Sequence, residues 1–325
     1  MSRQGSIRIT TVFPETNFIA RVEASSHEIG LAAWVRQNEA LVKRQLKEQG
    51  GILFRGFDMP DDASFLNMVR ELPFEPVDIS QFEEATEREK VATNLYTTTA
   101  FPASETISLH SDYSSSLDIC QYLCFFCLTP PGTGGQTPVA DNRRIYHRLN
   151  HTYRQQFETL GWRLVRHYGT GLGLDWQDTF LTDSRQAVEK HCQHHDVTAN
   201  WDGDELRTTQ TRTAVILHPE TGEKCWFNHI AFWHAANLHP DIADAMIDAV
   251  GKEKLPFQTF FGDGSDIPDP VAHHIRDILL EEKRMFDWQQ GDVLLLDNIL
   301  TSHGRESFSG DRSIRLSAFH QMKRE

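Results

Sequence analysis

His110, Ser111 and Asp112 stand together in the string ISLHSDY. On an extended strand, residues i and i+2 face the same side, so an imidazole and a carboxylate at this spacing can converge on one metal ion. A second imidazole, His303, follows a strongly apolar run in LLLDNILTSHGR, where a rigid strand could place it. Two imidazoles and one carboxylate on one face of an octahedron leave positions open, which is the arrangement of non-heme iron(II) oxygenases. A 2-oxo acid can fill two such positions and dioxygen another. The remote carboxylate of 2-oxoglutarate then needs a fork of donors, and arginine supplies one. Arg312 and Arg315, a short way beyond His303, are the candidates. As residue types alone the set is weak, because H-x-D recurs by chance and the chain holds 16 histidines.

The elements that must position these groups are legible in outline. Residues 28–49 have helical spacing and end at Gly50-Gly51; GILFRGF (51–57) reads as a buried strand; DDASFLNMVREL (61–72) returns to the helical period. From Ile107 onward, short apolar runs alternate with Gly, Pro and Asp turns, as in YLCFFCL (122–128), TAVILHPETG, GDVLLLDN (291–298) and SIRLSAFHQM (313–322). Helical stretches at 141–160 and 239–252 interrupt them. Many short strands with long excursions predict a mainly β, α+β chain: a barrel or jelly roll with helices outside. No clean linker is visible, so residues 1–325 read as one domain.

Composition narrows the function class. Of the 325 residues, 39% are hydrophobic and 24% charged, as in an ordinary globular enzyme. The net charge of −14 disfavours nucleic acid and anionic lipid as partners. No stretch approaches the apolar length of a membrane span, and MSRQGSIRITTVFPET lacks a signal-peptide core. Five cysteines do not make a secreted disulfide framework. A reduced, cytoplasmic protein is expected.

Longer strings sharpen the metal reading. YTTTAFPASETISLHSDYS and YLCFFCLTPPGTGGQTPVADNRRIYHRL, within 96–149, resemble the first metal motif of the TauD/TfdA-like 2-oxoglutarate dioxygenases, and more closely their SyrP-like branch. KCWFNHIAFWHAANL (224–238), FFGDGSDIPD (260–269) and FDWQQGDVLLLDNILTSHGRESFSGDRSIRLSAF (286–319) continue the resemblance in order, over roughly residues 50 to 322. It implies a double-stranded β-helix, iron(II), and 2-oxoglutarate with dioxygen as cosubstrates. It places His110, Asp112 and His303 at the iron-ligand positions and Thr137 where 2-oxoglutarate is hydrogen-bonded. It makes Arg312 the partner of the cosubstrate carboxylate, with Arg315 as the alternative; opposite strand parity should turn Arg315 away unless a bulge intervenes. The branch commonly reads H-N-E where this chain reads His110-Ser111-Asp112. A carboxylate at this position argues for oxygenation and against halogenation, which needs a small residue there.

The implied reaction oxidises a C–H bond, by hydroxylation first and by desaturation or cyclisation as variants. The branch points to a small polar substrate, an amino acid or natural-product intermediate, free or tethered to a carrier protein. Carrier domains are usually acidic, so an acidic enzyme gains no steering toward one, which tilts the reading to a free substrate. Thr98, Thr99, Arg212 and Asn228 are candidate substrate contacts, in the neighbourhood of Trp226 and Phe227; sheet packing or surface charge is the plain alternative for each. Cys120, Cys124 and Cys127 have iron–sulfur spacing but sit in an apolar, strand-like run, where cysteine behaves as a small hydrophobe. His191, His194 and His195 read as a solvated helix face. A zinc hydrolase using the same triad, or a silent scaffold of the same fold, are the rival classes.

Overall fold

The computed structural model describes residues 6–26, 29–79 and 88–324. Its main feature is a nine-stranded sheet. The order along it is Ile7–Phe13, Phe18–Ala24, Gly51–Arg55, Val293–Asp297, Asp118–Thr129, Ser313–Lys323, Leu95–Thr97 and Lys90–Ala92, with Pro76–Val77 also paired to Ser313–Lys323. Both faces of this sheet are covered, which is why its central strands read as continuous apolar runs. Along Asp118–Thr129, Tyr122, Cys124 and Phe126 face a helical layer, while Leu123, Phe125 and Cys127 face the barrel interior.

The helical layer consists of Leu31–Gln37, Glu39–Gln49 and Asp62–Glu71. The single helix expected over 28–49 is two. Asn38 breaks it, leaving the helical region at φ −120° and donating its side-chain amide to Trp34 O (2.8 Å). Gly50 ends the second helix in the left-handed conformation, at φ 74°, where an added Cβ would lie 2.6 Å from Thr301 Oγ1. Asp61 and Ser64 form a reciprocal N-cap on the third helix. That helix lays Phe65 on Phe126, ring centroids 5.0 Å apart.

Facing the large sheet is a three-stranded sheet in the order Val139–Asp141, Thr301–Arg305, Ile107–His110. Side chains from both sheets share one core, including Phe125, Val139, Leu294, Leu296, Ile314 and Leu316. This is the expected double-stranded β-helix, and its helical and strand fractions, 31% and 34%, make the chain α+β as anticipated. The long excursion after Asp141 contributes a four-stranded sheet, Thr198–Asp202, Glu205–Arg212, Trp162–Tyr168 and Phe257–Phe261, and the helix Asp269–Glu282. Among the described residues no helix is long and apolar enough to cross a membrane.

Candidate metal centre

The three-stranded sheet brings the two histidines together. His303 lies directly across the ladder from His110, and the register slips between His303 and Arg305. Gly304 sits in that slip; a Cβ there would meet Ile107 O at 2.4 Å, so only glycine lets the two strands approach this closely. Asp112 lies just beyond the strand that ends at His110, not on it. The Asn298 amide supplies the missing ladder: Oδ1 accepts from Asp112 N–H (3.1 Å), and Nδ2 donates to Asp112 O (2.9 Å) and Cys120 O (3.0 Å). Asn298 is itself fixed by the turn that Asp297 makes, whose Oδ1 accepts from the Ile299 and Leu300 N–H groups (3.0 and 3.1 Å). The string LDNILTSH thus launches His303 and pins Asp112 at once.

One donor atom from each of His110, Asp112 and His303 lies within 4.8 Å of the others, and no other such group of three exists among the described residues. Asp112 Oδ1 is 3.2 Å from His110 Nε2 and 3.8 Å from His303 Nε2. His110 Nδ1–H donates to Ser108 O (2.7 Å), leaving Nε2 as the lone-pair nitrogen that faces the site. Burial pushes His303 down to about 3, so its ring is neutral and can donate a lone pair. Burial alone would raise the Asp112 carboxyl, but Arg88, His303 and His110 outweigh it and hold it well below the usual carboxylate range. His303 Nδ1 is buried without a hydrogen-bond partner. Two imidazoles and one ionised carboxylate, converging in a buried site, fit a divalent first-row metal.

The same pocket is lined by Arg88, Thr98, Thr99, Ile107, Phe125, Thr137, Gly304, Arg305, Arg312 and Leu316. Thr137 Oγ1 accepts from Trp288 Nε1–H (3.1 Å). Arg312 Nε donates to Gly135 O (3.1 Å), and its guanidinium lies over the Phe308 ring. Burial and the nearby Arg305 push Arg312 down to about 10, still cationic at neutral pH and suited to an incoming carboxylate. Phe125 and Phe232 pack against the His303 and His110 rings, at 5.1 and 5.5 Å between centroids.

Three of the sequence candidates lie elsewhere or are otherwise engaged. Arg315 points to the helical layer, where Nε pairs with Asp62 (3.0 Å); the ladder does slip between Ser313 and Ile314, so the contact with Asp62, and not strand parity, places it outside the pocket. Arg212 is buried among backbone carbonyls, donating to Ser115 O (3.0 Å) and His195 O (2.7 Å), and it lines a cavity other than the metal pocket. Asn228 closes a turn, donating to Ala214 O (2.9 Å) and accepting from Ile230 N–H (3.0 Å), and it lines a small cavity on the other side of His110 and not the metal pocket. Trp226 and Phe227 are core residues. Cys120, Cys124 and Cys127 are buried, with Cys124 and Cys127 on opposite faces of their strand. His191 and His195 are half-buried, not a fully solvated face, and with His194 they border a separate cavity of about 650 Å³ together with Asp118 and His320.

Sequence reasoning missed Arg88, Arg305, Trp288 and Asn298. Trp288, Asn298 and Arg305 fell inside a string already singled out, but only the fold shows what they hold. Arg305 donates to the carbonyls of Phe101, Pro102 and Glu105 and so fixes the loop before His110.

Comparison with known proteins agrees with this geometry. The family described as taurine catabolism dioxygenase TauD, TfdA family, matches residues 13–318. The dapdiamide synthesis protein DdaC of Enterobacter agglomerans is 36% identical over 273 residues, covering 84% of this chain and 82% of that protein. A clavaminate synthase-like protein of Arabidopsis thaliana is 27% identical over 287 residues, with coverage of 84% and 82%. Among solved structures, PvcB of Pseudomonas aeruginosa superposes with a TM-score of 0.57 at 16% identity, covering 99% of this chain and 95% of that one, which is a likeness of fold. The chain is therefore a member of the TauD/TfdA family of non-heme iron(II), 2-oxoglutarate-dependent dioxygenases.

Proposed function

We propose that this dioxygenase oxidises a C–H bond of a small polar, amino-acid-like substrate at a metal held by His110, Asp112 and His303. The observation that carries the assignment is the convergence of those three donors, within 4.8 Å, in one pocket with Arg312 and Thr137. When bound, iron(II) with 2-oxoglutarate and dioxygen supplies the oxidising power. The chain supplies placement. Arg312 takes the remote carboxylate of 2-oxoglutarate and Thr137 one of its oxygens, with Trp288 orienting the hydroxyl. Ile107, Phe125 and Leu316 form the apolar wall that keeps bulk water from the reacting bond. Thr98 and Thr99 stand at the same pocket and can meet polar groups of the substrate.

The substrate class is supported by DdaC, whose name places it in the synthesis of dapdiamide. Hydroxylation is the first expected outcome, with desaturation or cyclisation as variants. A cytoplasmic setting is supported by the five buried cysteines, all in the thiol form. The test is succinate release with iron(II), 2-oxoglutarate and a panel of free and carrier-tethered amino acids, with products scored by mass. Gain of one oxygen marks hydroxylation, and loss of two hydrogens marks desaturation or ring closure. A protein that binds iron and 2-oxoglutarate but modifies only non-amino-acid compounds would refute the substrate class. One that consumes no 2-oxoglutarate would refute the assignment as a whole.

A further inference from the structure

Asp112 presents two different oxygens. Oδ1 faces both imidazoles, 3.2 Å from His110 Nε2 and 3.8 Å from His303 Nε2. Oδ2 is held by Arg88 Nη2 at 2.9 Å. We propose that Arg88 is a positioning residue that confines Asp112 to a single metal bond, through Oδ1, and thereby keeps a coordination position open for the cosubstrates. The inference rests on the metal assignment above and adds a residue to it.

The contact is built to fix an orientation. Both side chains are buried, with relative exposures of 10% for Arg88 and 6% for Asp112, so the pair is poorly screened. Asn298 already clamps the Asp112 backbone from both its N–H and its C=O. What remains free is rotation of the carboxylate, and the Arg88 contact removes it. Arg88 comes from a separate part of the chain, just before the edge strand Lys90–Ala92, so the two clamps are independent.

The count of coordination positions gives the contact its importance. Two imidazoles and one carboxylate oxygen leave three positions of an octahedron. The 2-oxo acid takes two, and dioxygen needs the third. A carboxylate that chelated through both oxygens would occupy one of these, and binding of the 2-oxo acid would then compete with Asp112 itself. Carboxylates readily bind metals in either way, so something must choose. A cation on Oδ2 chooses.

The charge of Arg88 makes the prediction distinctive. A guanidinium beside a divalent ion repels it, so removing the charge should not weaken metal binding. A merely structural arginine would behave in the opposite way, since its loss would loosen the site. Manganese(II) is the probe, because water-proton relaxation reports how many exchangeable waters remain on it. In the Arg88→Gln protein, manganese should bind as tightly as in the parent or more tightly, with one water fewer. The affinity of the manganese form for 2-oxoglutarate should fall, by about tenfold for each 1.4 kcal/mol needed to displace the second carboxylate oxygen from the metal. Arg88→Lys keeps a cation near Oδ2 and should restore the parent water count and most of the 2-oxoglutarate affinity.

An unchanged water count in Arg88→Gln overturns the proposal, even if 2-oxoglutarate binds less well, because Arg88 would then contact the cosubstrate directly. Weakened manganese binding in a folded Arg88→Gln protein also overturns it, in favour of a structural role. If Arg88→Gln fails to fold, Arg88→Lys decides: it supports the proposal with the parent water count and overturns it with one water fewer. Failure of the parent protein to bind manganese would sink the metal assignment, and this inference with it.

Discussion

Replacing Arg312 by alanine gives the sharpest test of the cosubstrate site. The guanidinium is half-buried, has Gly135 O as its hydrogen-bond acceptor, and is already pushed down to about 10 by burial and Arg305. An anion arriving there gains a partner that has lost part of its hydration. Truncating one side of a desolvated, hydrogen-bonded charge pair costs about 2–5 kcal/mol. The partial exposure of Arg312 argues for the lower half of that range, about 3 kcal/mol, or roughly 100-fold in affinity. The assay is the dependence of succinate formation on 2-oxoglutarate, with a parallel titration of manganese binding. Arg312→Ala should raise the 2-oxoglutarate requirement by that factor and leave metal affinity within a few-fold. Arg315→Ala should leave both unchanged, because its charge is spent on Asp62 outside the barrel. The reasoning is refuted if Arg315→Ala raises the requirement and Arg312→Ala does not.

Gly304→Ala should part the two ligand strands, since its Cβ would meet Ile107 O at 2.4 Å. Overpacking of this kind costs about 1–3 kcal/mol, and both the urea midpoint and the metal affinity should fall, as followed by unfolding and by manganese titration. Arg212→Ala should lower stability by about 3 kcal/mol, because the carbonyls of Ser115 and His195 each lose a charged donor worth about 1.5–3 kcal/mol. It should leave the 2-oxoglutarate requirement of the folded enzyme unchanged; a rise would restore Arg212 to the site. The metal-free protein should lose stability as pH falls below about 6.5, where the unfolded chain protonates its histidines. His229 and His303 resist the proton in the fold, both chiefly through burial, His303 down to about 3. Each such histidine adds about 1.4 kcal/mol per pH unit to the slope between its two pKa values. His229→Gln should flatten that slope in urea titrations across pH, and an unaltered slope would contradict it.

Period and punctuation carried much of the fold. The run YLCFFCL announced an apolar strand, and Gly50 announced the end of a helix. Asn38 was missed as a break because its side-chain competition with the helix leaves no mark in the hydrophobic period. At the centre, H-x-D spacing set His110 beside Asp112, and the fold brings them to 3.2 Å, but not by strand geometry alone. The strand ends at His110, and the Asn298 amide, distant in sequence, carries Asp112 onward. Such long-range clamps are invisible to spacing rules. Arg88 was missed for the same reason: in the sequence it is one more charge in EEATEREK, and only the fold sets it on Asp112. Arg212 and Asn228 fall outside the metal pocket because their backbone partners, which spacing cannot reveal, hold them elsewhere.

The direct pairing of His110 with His303 reaches beyond ligation. Among the described residues, Ile107–His110 is the edge strand of its small sheet, held by Thr301–Arg305 through a ladder that slips beside His303. An ion bound by both imidazoles is one more rung on that ladder, placed where hydrogen bonding is thinnest. Without it, amide protons of residues 107–110 should exchange with solvent sooner than those of the central strands, because local opening begins where few bonds hold. Ile107 belongs to the pocket wall, so a frayed edge also opens the chamber to water. Assembly then has a natural sequence in which the ion closes the seam first and the organic cosubstrate enters a finished room.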